Sequence, residues 1–374
     1  MSARRALGHQ ALTAWLRLAR TPQVGPVAFR GLLQRFGNAQ KALDALPGLA
    51  RRGGRIDPLK ITTKSEAETE IGALERLGGI ILPSCDPDYP EALAALDPPP
   101  PVLSVLGDAA LLGKPACAIV GARNASATGM RMARQMALEL GERGFVIVSG
   151  LARGIDGAAH QGALQSGTIA VVAGGVDHVY PPEHDDLRAA IIRHGTLVSE
   201  RRLGHRVTAR DFPRRNRIIS GLALGVLVIE AAARSGSLIT SRFALEQGRE
   251  VMAMPGSPLD PRCKGTNGLI KAGAVLAESS ADVCDALAGR RAQRLHEQGD
   301  LFETASPAIA DDVDVERARP ALLSLLSPSP VPRDELVRQS ALPAAVCAAA
   351  LLELELAGQI ISLPGGAVAL AVDP

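Results

Sequence analysis

Aromatic residues are nearly missing from this chain: one Trp, two Tyr and six Phe in 374 residues. Aliphatic side chains and alanine must fill the core, and few residues are available to stack on a flat ligand. Cysteine is as sparse. Cys85, Cys117, Cys263, Cys284 and Cys347 are odd in number and scattered, with no Cys-x-x-Cys pair, and Cys117 opens an apolar run. That argues against a disulfide framework or a zinc site and for a reducing compartment. His178, His184 and Asp185 match no compact ligand spacing, so no metal is expected. No apolar stretch reaches the ~18 residues of a membrane span. After Arg4 and Arg5 the N-terminus turns amphipathic rather than signal-like. The expectation is a cytoplasmic protein without membrane contact.

Enzyme signatures are also wanting. Gly107 to Lys114 approaches a Walker A run, but five residues separate its glycines rather than four, and Pro115 stands where a Ser or Thr would hold magnesium. There is no G-x-S-x-G elbow and no H-E-x-x-H. Binding groups without an evident nucleophile, base or metal point to binding rather than turnover, with no cofactor.

What the chain does have is a series of glycine-rich turns, each closing an apolar run. They are Ala118-Ile-Val-Gly-Ala-Arg123, Val146-Ile-Val-Ser-Gly150, Val171-Val-Ala-Gly-Gly175, Val226-Leu-Val-Ile-Glu230 leading to Ser235-Gly-Ser237, and Val251-Met-Ala-Met-Pro-Gly256. Short β-branched runs ending in glycine and followed by helix-like segments describe a parallel sheet. Ligands bind such sheets beyond the carboxyl ends of the strands. Small residues there admit a backbone to a phosphate, and helix starts attract anions.

The fold class expected is α/β: an extended Rossmann-like parallel sheet core between a helical head and a winged-helix tail. Residues 1–78 read as a helical, sterile-alpha-motif-like or helix-hairpin-helix domain. Its hairpin, Thr21-Pro-Gln-Val-Gly-Pro26, can offer backbone N–H groups to a phosphate or serve only for packing. Residues 64–78 form a mixed-charge helix, and Asp97-Pro-Pro-Pro-Pro101 a stiff connector. Residues 79–290 hold the sheet domain, with strands and helices alternating from about 102 to about 288. Residues 291–318 read as a linker, and residues 319–374 as three short helices with a hairpin at Pro364-Gly-Gly366.

Net charge is only +2, but the charge is clustered. Residues 1–60 carry 11 Lys and Arg against Asp44 and Asp57 alone. Residues 201–217 carry Arg201, Arg202, Arg206, Arg210, Arg214, Arg215 and Arg217 against Asp211. Such blocks suit contact with a polyanion. The tail differs: no Lys or Arg follows Arg338, while Glu353 and Glu355 lie on the would-be recognition helix. A groove-reading helix needs cations, so the tail reads as a protein-contact module.

Within the sheet domain, Arg123 at a strand's carboxyl end suits one phosphate, with Ser126 capping the next helix. Asp156 and His160, four apart, share a helix face, and the simplest reading has them hydrogen-bonding each other. Pro213 starts a helix that leaves Arg214, Arg215 and Arg217 in its first turn, where anions are favoured. Phe212 offers a stacking face, and Asn216 a base-edge or backbone contact.

The ordered motifs resemble the bacterial DNA-processing protein A family (DprA, also called Smf). They are Ile119-Val-Gly-Ala-Arg123, Ser149-Gly-Leu-Ala-Arg-Gly-Ile-Asp156 with His160, Tyr180-Pro181, Phe212-Pro-Arg-Arg-Asn-Arg217, Ser235-Gly-Ser-Leu-Ile-Thr240, Pro255-Gly256 and Gly265-Thr-Asn-Gly-Leu-Ile270, spread over residues 80–280. The resemblance implies single-stranded DNA binding without strong sequence preference. It also implies RecA loading during natural transformation, with single-strand-binding protein present, and a homodimer through the Rossmann domain. The DNA-contact residues expected are Gly121, Arg123, Ser126, Ser149, Gly150, Arg153, Gly154, Gly174, Gly175, Phe212, Arg214, Arg215, Asn216, Arg217, Ser235, Gly236, Ser237, Gly256 and Asn267. Asp211 departs from this pattern, an acid where DNA would prefer none, unless its side chain points away or caps the helix. A rival reading is a nucleotide enzyme similar to lysine-decarboxylase-like phosphoribohydrolases. In this chain Pro255-Gly-Ser257 and Gly265-Thr266 are separated by Pro258 to Lys264, which breaks that family's run. A third reading makes the head and tail chiefly a protein-docking hub.

Overall fold

The computed structural model describes residues 4–296, 311–363 and 366–371. The chain divides into two compact units: Met1–Ile71 with Glu303–Pro374, and Gly72–Phe302.

The first unit begins with α1 (His9–Arg20), α2 (Pro26–Phe36) and α3 (Ala39–Arg52). Pro26 opens α2 at a position whose N–H would be unpaired anyway. Gly37, at φ 79°, ends it in a left-handed turn that a side chain would resist. Asn38 then caps α3, accepting the Lys41 N–H at 2.9 Å. The apolar faces of these helices bury Leu18, Phe29, Leu32, Leu43, Leu46 and Leu49, and Trp15 meets Phe29 edge-on at 5.0 Å. The mixed-charge helix is α4 (Lys64–Arg76). Arg20 donates to its Glu70 at 2.8 Å.

The same unit holds the tail: α13 (Asp312–Ser324), β10 (Val331–Pro332), α14 (Arg333–Ser340), α15 (Ala344–Leu356), β11 (Ile360–Ser362) and β12 (Ala367–Leu370). Its three strands pair in the order β10-β12-β11 to make the wing. Two residues of the expected hairpin, 364 and 365, lie outside the described residues, as does 297–310 of the expected linker; what is described of 291–318 is helical.

The second unit is built on nine strands. They are β1 (Gly79–Pro83), β2 (Val102–Gly107), β3 (Ala116–Gly121), β4 (Val146–Ser149), β5 (Thr168–Val171), β6 (Thr196–Ser199), β7 (Gly225–Ile229), β8 (Glu250–Ala253) and β9 (Val275–Leu276). Their order is β1-β2-β6-β5-β4-β3-β7-β8-β9, parallel from β6 to β9, with β1 and β2 antiparallel at one end. The helices between them are α5 (Glu91–Ala94), α6 (Ala127–Glu142), α7 (Ile155–Ala163), α8 (Asp185–His194), α9 (Asp211–Leu222), α10 (Ser237–Glu246) and α11 (Lys264–Lys271), with α12 (Ser280–His296) after β9. β3 to β5 and β7 are buried along nearly their whole length, as a parallel sheet covered on both faces requires. One apolar cluster gathers Ala118, Val120, Val148, Val226 and Val228. The other gathers Cys117, Ile119, Ile147, Leu227 and Ile229. Alternate residues thus face opposite layers, and burial pushes the Cys117 thiol up to about 12. Among the described residues no single helix is long and apolar enough to cross a membrane.

Candidate nucleic-acid interface

The strand order reverses between β3 and β7, which is where an open α/β sheet usually offers its ligand crevice. Here that crevice is filled from within. The Glu230 carboxylate, just past β7, accepts the Ser126 N–H at 2.8 Å and the Ser126 hydroxyl at 2.5 Å. Ser126 Oγ in turn caps α6 by accepting the Gly129 N–H at 2.9 Å. A protein carboxylate therefore sits where a phosphate would bind a helix start. The Ser126 cap was expected; the role of Glu230 was not. Gly121, expected to admit a ligand, instead admits β7: a Cβ there would lie 1.9 Å from the Ile229 carbonyl oxygen.

The open crevice lies to one side, over the carboxyl ends of β3, β4 and β5. Arg123, Gly150 to Arg153, Val172 to Gly174, His178, Tyr180, Pro181, Val207, Phe212 and Arg215 line it. Two of the chain's few aromatics meet here: the Tyr180 and Phe212 rings are 5.7 Å apart. The exposed Arg123 lays its guanidinium over Phe212, 4.7 Å from the ring centroid. Cation, ring and tilted second ring form one cluster, suited to a base with an attached phosphate. Arg153 is exposed and pairs only loosely with Glu183, at 3.8 Å.

Behind this cluster the floor is tied by hydrogen bonds. Arg215 is 7% exposed and donates from Nη1 to the carbonyls of Gly150 and Val171, each at 2.5 Å. A Cβ on Gly150 would strike that guanidinium, so this glycine makes room for an arginine rather than for a ligand. Burial lowers the Arg215 pKa to about 10, and the neighbouring Asp156 works in the other direction. Burial raises Asp156, opposed by Arg215 and by the backbone N–H groups of Ala152 and Gly150 that it accepts at 3.3 and 3.1 Å. The expected Asp156–His160 hydrogen bond is not made, because Asp156 serves this loop. His160 Nδ1 instead meets Thr168 Oγ1 at 2.7 Å. The Thr168 hydroxyl donates to the Ile147 carbonyl, so His160 carries its proton on Nδ1.

The basic block divides by position. α9 begins at Asp211, so Phe212 and Pro213 occupy its first turn and the arginines follow later than expected. Arg214 is exposed, while Arg215 and Asn216 turn inward. Asn216 accepts from Arg215 Nε at 3.2 Å and donates to the Gly236 carbonyl at 3.3 Å. Arg217 is held by Glu200 at 2.5 and 2.6 Å, away from the crevice lining. Asp211 points inward, accepting from Thr208 N and Oγ1, His205 and Arg201. Burial would raise this carboxyl, but those partners hold it below its ordinary range. Its apparent conflict with DNA disappears.

The remaining expected residues sit elsewhere on the sheet edge. Ser149 is buried and donates to the Ile119 carbonyl at 2.6 Å. Gly154 supports the turn against Ala122, and Gly175 packs against Asp177 and Arg202. Ser235 and Ser237 hydroxyls pair at 2.7 Å beside Gly236 at the start of α10. Gly256 and Asn267 bond each other twice, at 3.2 and 2.9 Å. His178, Tyr180 and Val207 were not among the expected contact residues, although the turn from Gly174 to Pro181 reads from sequence as able to wrap a ligand or merely to turn the chain.

Comparison with known proteins bears on the family of the chain and its fold. Residues 80–288 match the family described as DNA recombination-mediator protein A. Residues 9–73 match a DprA-like N-terminal HHH domain, and residues 303–366 a DprA winged helix domain. Protein Smf of Escherichia coli is 41% identical over 312 residues, 82% of this chain and 82% of its own length. DNA processing protein A from Streptococcus pneumoniae, solved by X-ray, is similar in structure. Its TM-score is 0.63 at 35% identity, covering 72% of this chain and 95% of that one. DNA processing protein A from Helicobacter pylori, studied for its single-stranded DNA binding mode, gives a TM-score of 0.52 at 28% identity, covering 57% and 96%.

Proposed function

We propose, since this chain belongs to the DNA recombination-mediator protein A family, that it binds single-stranded DNA in the Arg123–Phe212 crevice and helps load RecA onto that strand. The observation that carries the reading is the Tyr180–Phe212–Arg123 cluster, in a chain with so few aromatic residues. A ring faces any base equally well, so recognition is largely independent of sequence. Arg123, Arg153 and Arg214 take phosphates, and Phe212 with Tyr180 takes a base. Gly150, Gly174, Arg215 and Asn216 shape the floor. Gly121, Ser126, Ser149, Gly154, Gly175, Arg217, Ser235, Gly236, Ser237, Gly256 and Asn267 support the surrounding turns.

The role is binding rather than turnover, in the cytoplasm. A homodimer through the sheet domain and contact with single-strand-binding protein complete the proposal. The hydrolase alternative has less to stand on, because its turns are occupied internally. Gly265 N–H donates to the Ala231 carbonyl at 2.7 Å, and Thr266 Oγ1 to that of Cys263 at 3.1 Å.

Fluorescence anisotropy with labelled single-stranded and duplex oligonucleotides over a salt series tests the reading. Salt-sensitive preference for the single strand, lost in Arg123→Ala, is expected. Equal affinity for duplex, or an unaffected variant, overturns it. RecA filament formation on coated DNA, with and without the protein, tests the loading step.

A further inference from the structure

Three histidines of the sheet domain are engaged by the protein itself. His160 Nδ1 meets Thr168, His205 Nε2 meets Asp211 at 2.9 Å, and His184 Nδ1 donates to the Leu151 carbonyl at 3.1 Å. His178 differs. Its half-buried ring lines the crevice beside Arg123, Phe212 and Arg215, and it has no side-chain hydrogen bond or ion pair among the described residues. The turn that carries it is tied on several sides. Ser199 Oγ donates to the Gly174 carbonyl at 2.5 Å, Arg188 Nη2 to that of Val176 at 2.7 Å, and the His178 N–H to that of Gly175 at 2.9 Å. Gly174 gives the ring its place, since a Cβ there would come within 3.2 Å of His178 Cδ2. A polar ring is thus held in the crevice wall with nothing in the fold to bond it.

The charged groups around His178 sort by sign. Arg123, Arg153 and Arg215 line the same crevice, with Tyr180 from its own turn. The carboxylates nearby are committed elsewhere. Asp177 accepts the Gly204 N–H with both oxygens, at 3.0 and 2.8 Å, and Asp156 accepts those of Gly150 and Ala152. Asp211 is taken by Arg201, His205 and Thr208, and Glu183 stands 3.8 Å from Arg153. Among the described residues the lining holds cations and no carboxylate. An anion for the imidazole must therefore arrive with the ligand. Imidazole is the side chain that titrates nearest neutrality, and a phosphate beside it favours the protonated form.

We propose that His178 is a phosphate contact of the crevice that acts in its protonated form, so that binding a strand draws a proton from solution. The ring takes that proton as the phosphate arrives, donates an N–H to a phosphate oxygen, and returns the proton on release. The inference rests on the single-strand reading above. It adds to it a contact outside the arginine-rich segment and a dependence of affinity on pH.

The test uses the full chain and a labelled oligothymidylate, whose bases do not take up protons near neutrality. Its affinity is measured by anisotropy at fixed salt from about pH 8 down to about pH 6, and is expected to rise about three- to tenfold. His178→Gln should bind throughout as the wild type does at the alkaline end. His178→Lys carries its charge at every pH, so it should bind tightly over the whole range and show no such rise. Its salt slope should exceed that of His178→Gln by about 0.7, the share of one phosphate on a single strand. A pH dependence that survives in His178→Gln overturns the proposal, and so does a lysine variant no better than the glutamine one. A changed preference between thymine and adenine probes with the pH profile intact would make His178 a base contact and is equally fatal. Weakened binding in Arg123→Ala beside an unchanged pH profile in His178→Gln sinks this inference alone. Indifference to both variants sinks the crevice reading with it.

Discussion

The Arg123 guanidinium rests 4.7 Å from the centroid of the Phe212 ring, so the charge and the stacking face of the crevice are one object. A base reaching Phe212 must either displace the guanidinium or stack on its outer face. Phe212→Leu should weaken single-strand binding by about 1–3 kcal/mol with little change in salt slope. Arg123→Ala should weaken it by about 1–3 kcal/mol and lower the slope by about one. The double variant should lose less than the sum, because the residues act together. Strict additivity in an anisotropy double-mutant cycle would refute that coupling.

Arg214 and Arg217 should separate in the same assay. Arg214 is exposed, and its alanine variant should lower the salt slope by about one. Arg217 already faces Glu200, so Arg217→Ala should alter binding little, whereas Glu200→Gln should strengthen it. A large loss in Arg217→Ala would mean that the Glu200 pair opens on DNA.

Asp156 compensates a buried guanidinium and ties down the loop at Gly150 and Ala152. Asp156→Ala leaves Arg215 without its counter-charge and should cost about 3–5 kcal/mol. Urea unfolding followed by circular dichroism measures this. A loss below about 1 kcal/mol would show that the backbone carbonyls alone suffice for Arg215.

His160 supplies a pH dependence. Burial is the main cause that lowers its pKa from 6.5 to about 3. Below pH 6.5 the unfolded chain takes up a proton that the folded chain refuses, so stability falls as pH drops and continues to fall until pH nears 3. His160→Gln should remove about 2 kcal/mol of the stability difference between pH 7 and pH 5. Equal pH dependence in both proteins would place the sensitivity elsewhere.

The architecture was legible because strand runs and glycine turns are local signals. Val146 to Gly150 announces a buried parallel strand, and Val171 to Gly175 the turn that closes another, whatever their neighbours are. The crevice was legible in part, through Arg123 and Phe212. What stayed hidden depends on partners distant in sequence. Nothing near Glu230 reveals that Ser126 will bind it, and nothing near Arg217 points to Glu200 as its partner rather than a phosphate. The same limit applies to the glycines. Gly150 and Gly121 read as ligand-facing gaps, but Arg215 and β7 occupy them. The basic head and the acidic α15 were each noticed separately. Their complementarity appears only when Arg52 and Glu353, 301 positions apart, meet.

That long-range closure has a consequence for synthesis. The head's apolar cluster includes Leu352 and Leu356, made some three hundred residues after Leu46 and Leu49. At roughly 5–20 residues per second, the nascent head waits roughly 15–60 s for the helix that covers it. Until then its apolar side and its arginines both face solvent beside the ribosome. The helices α1 to α3 are made long before α15, the helix that completes their core.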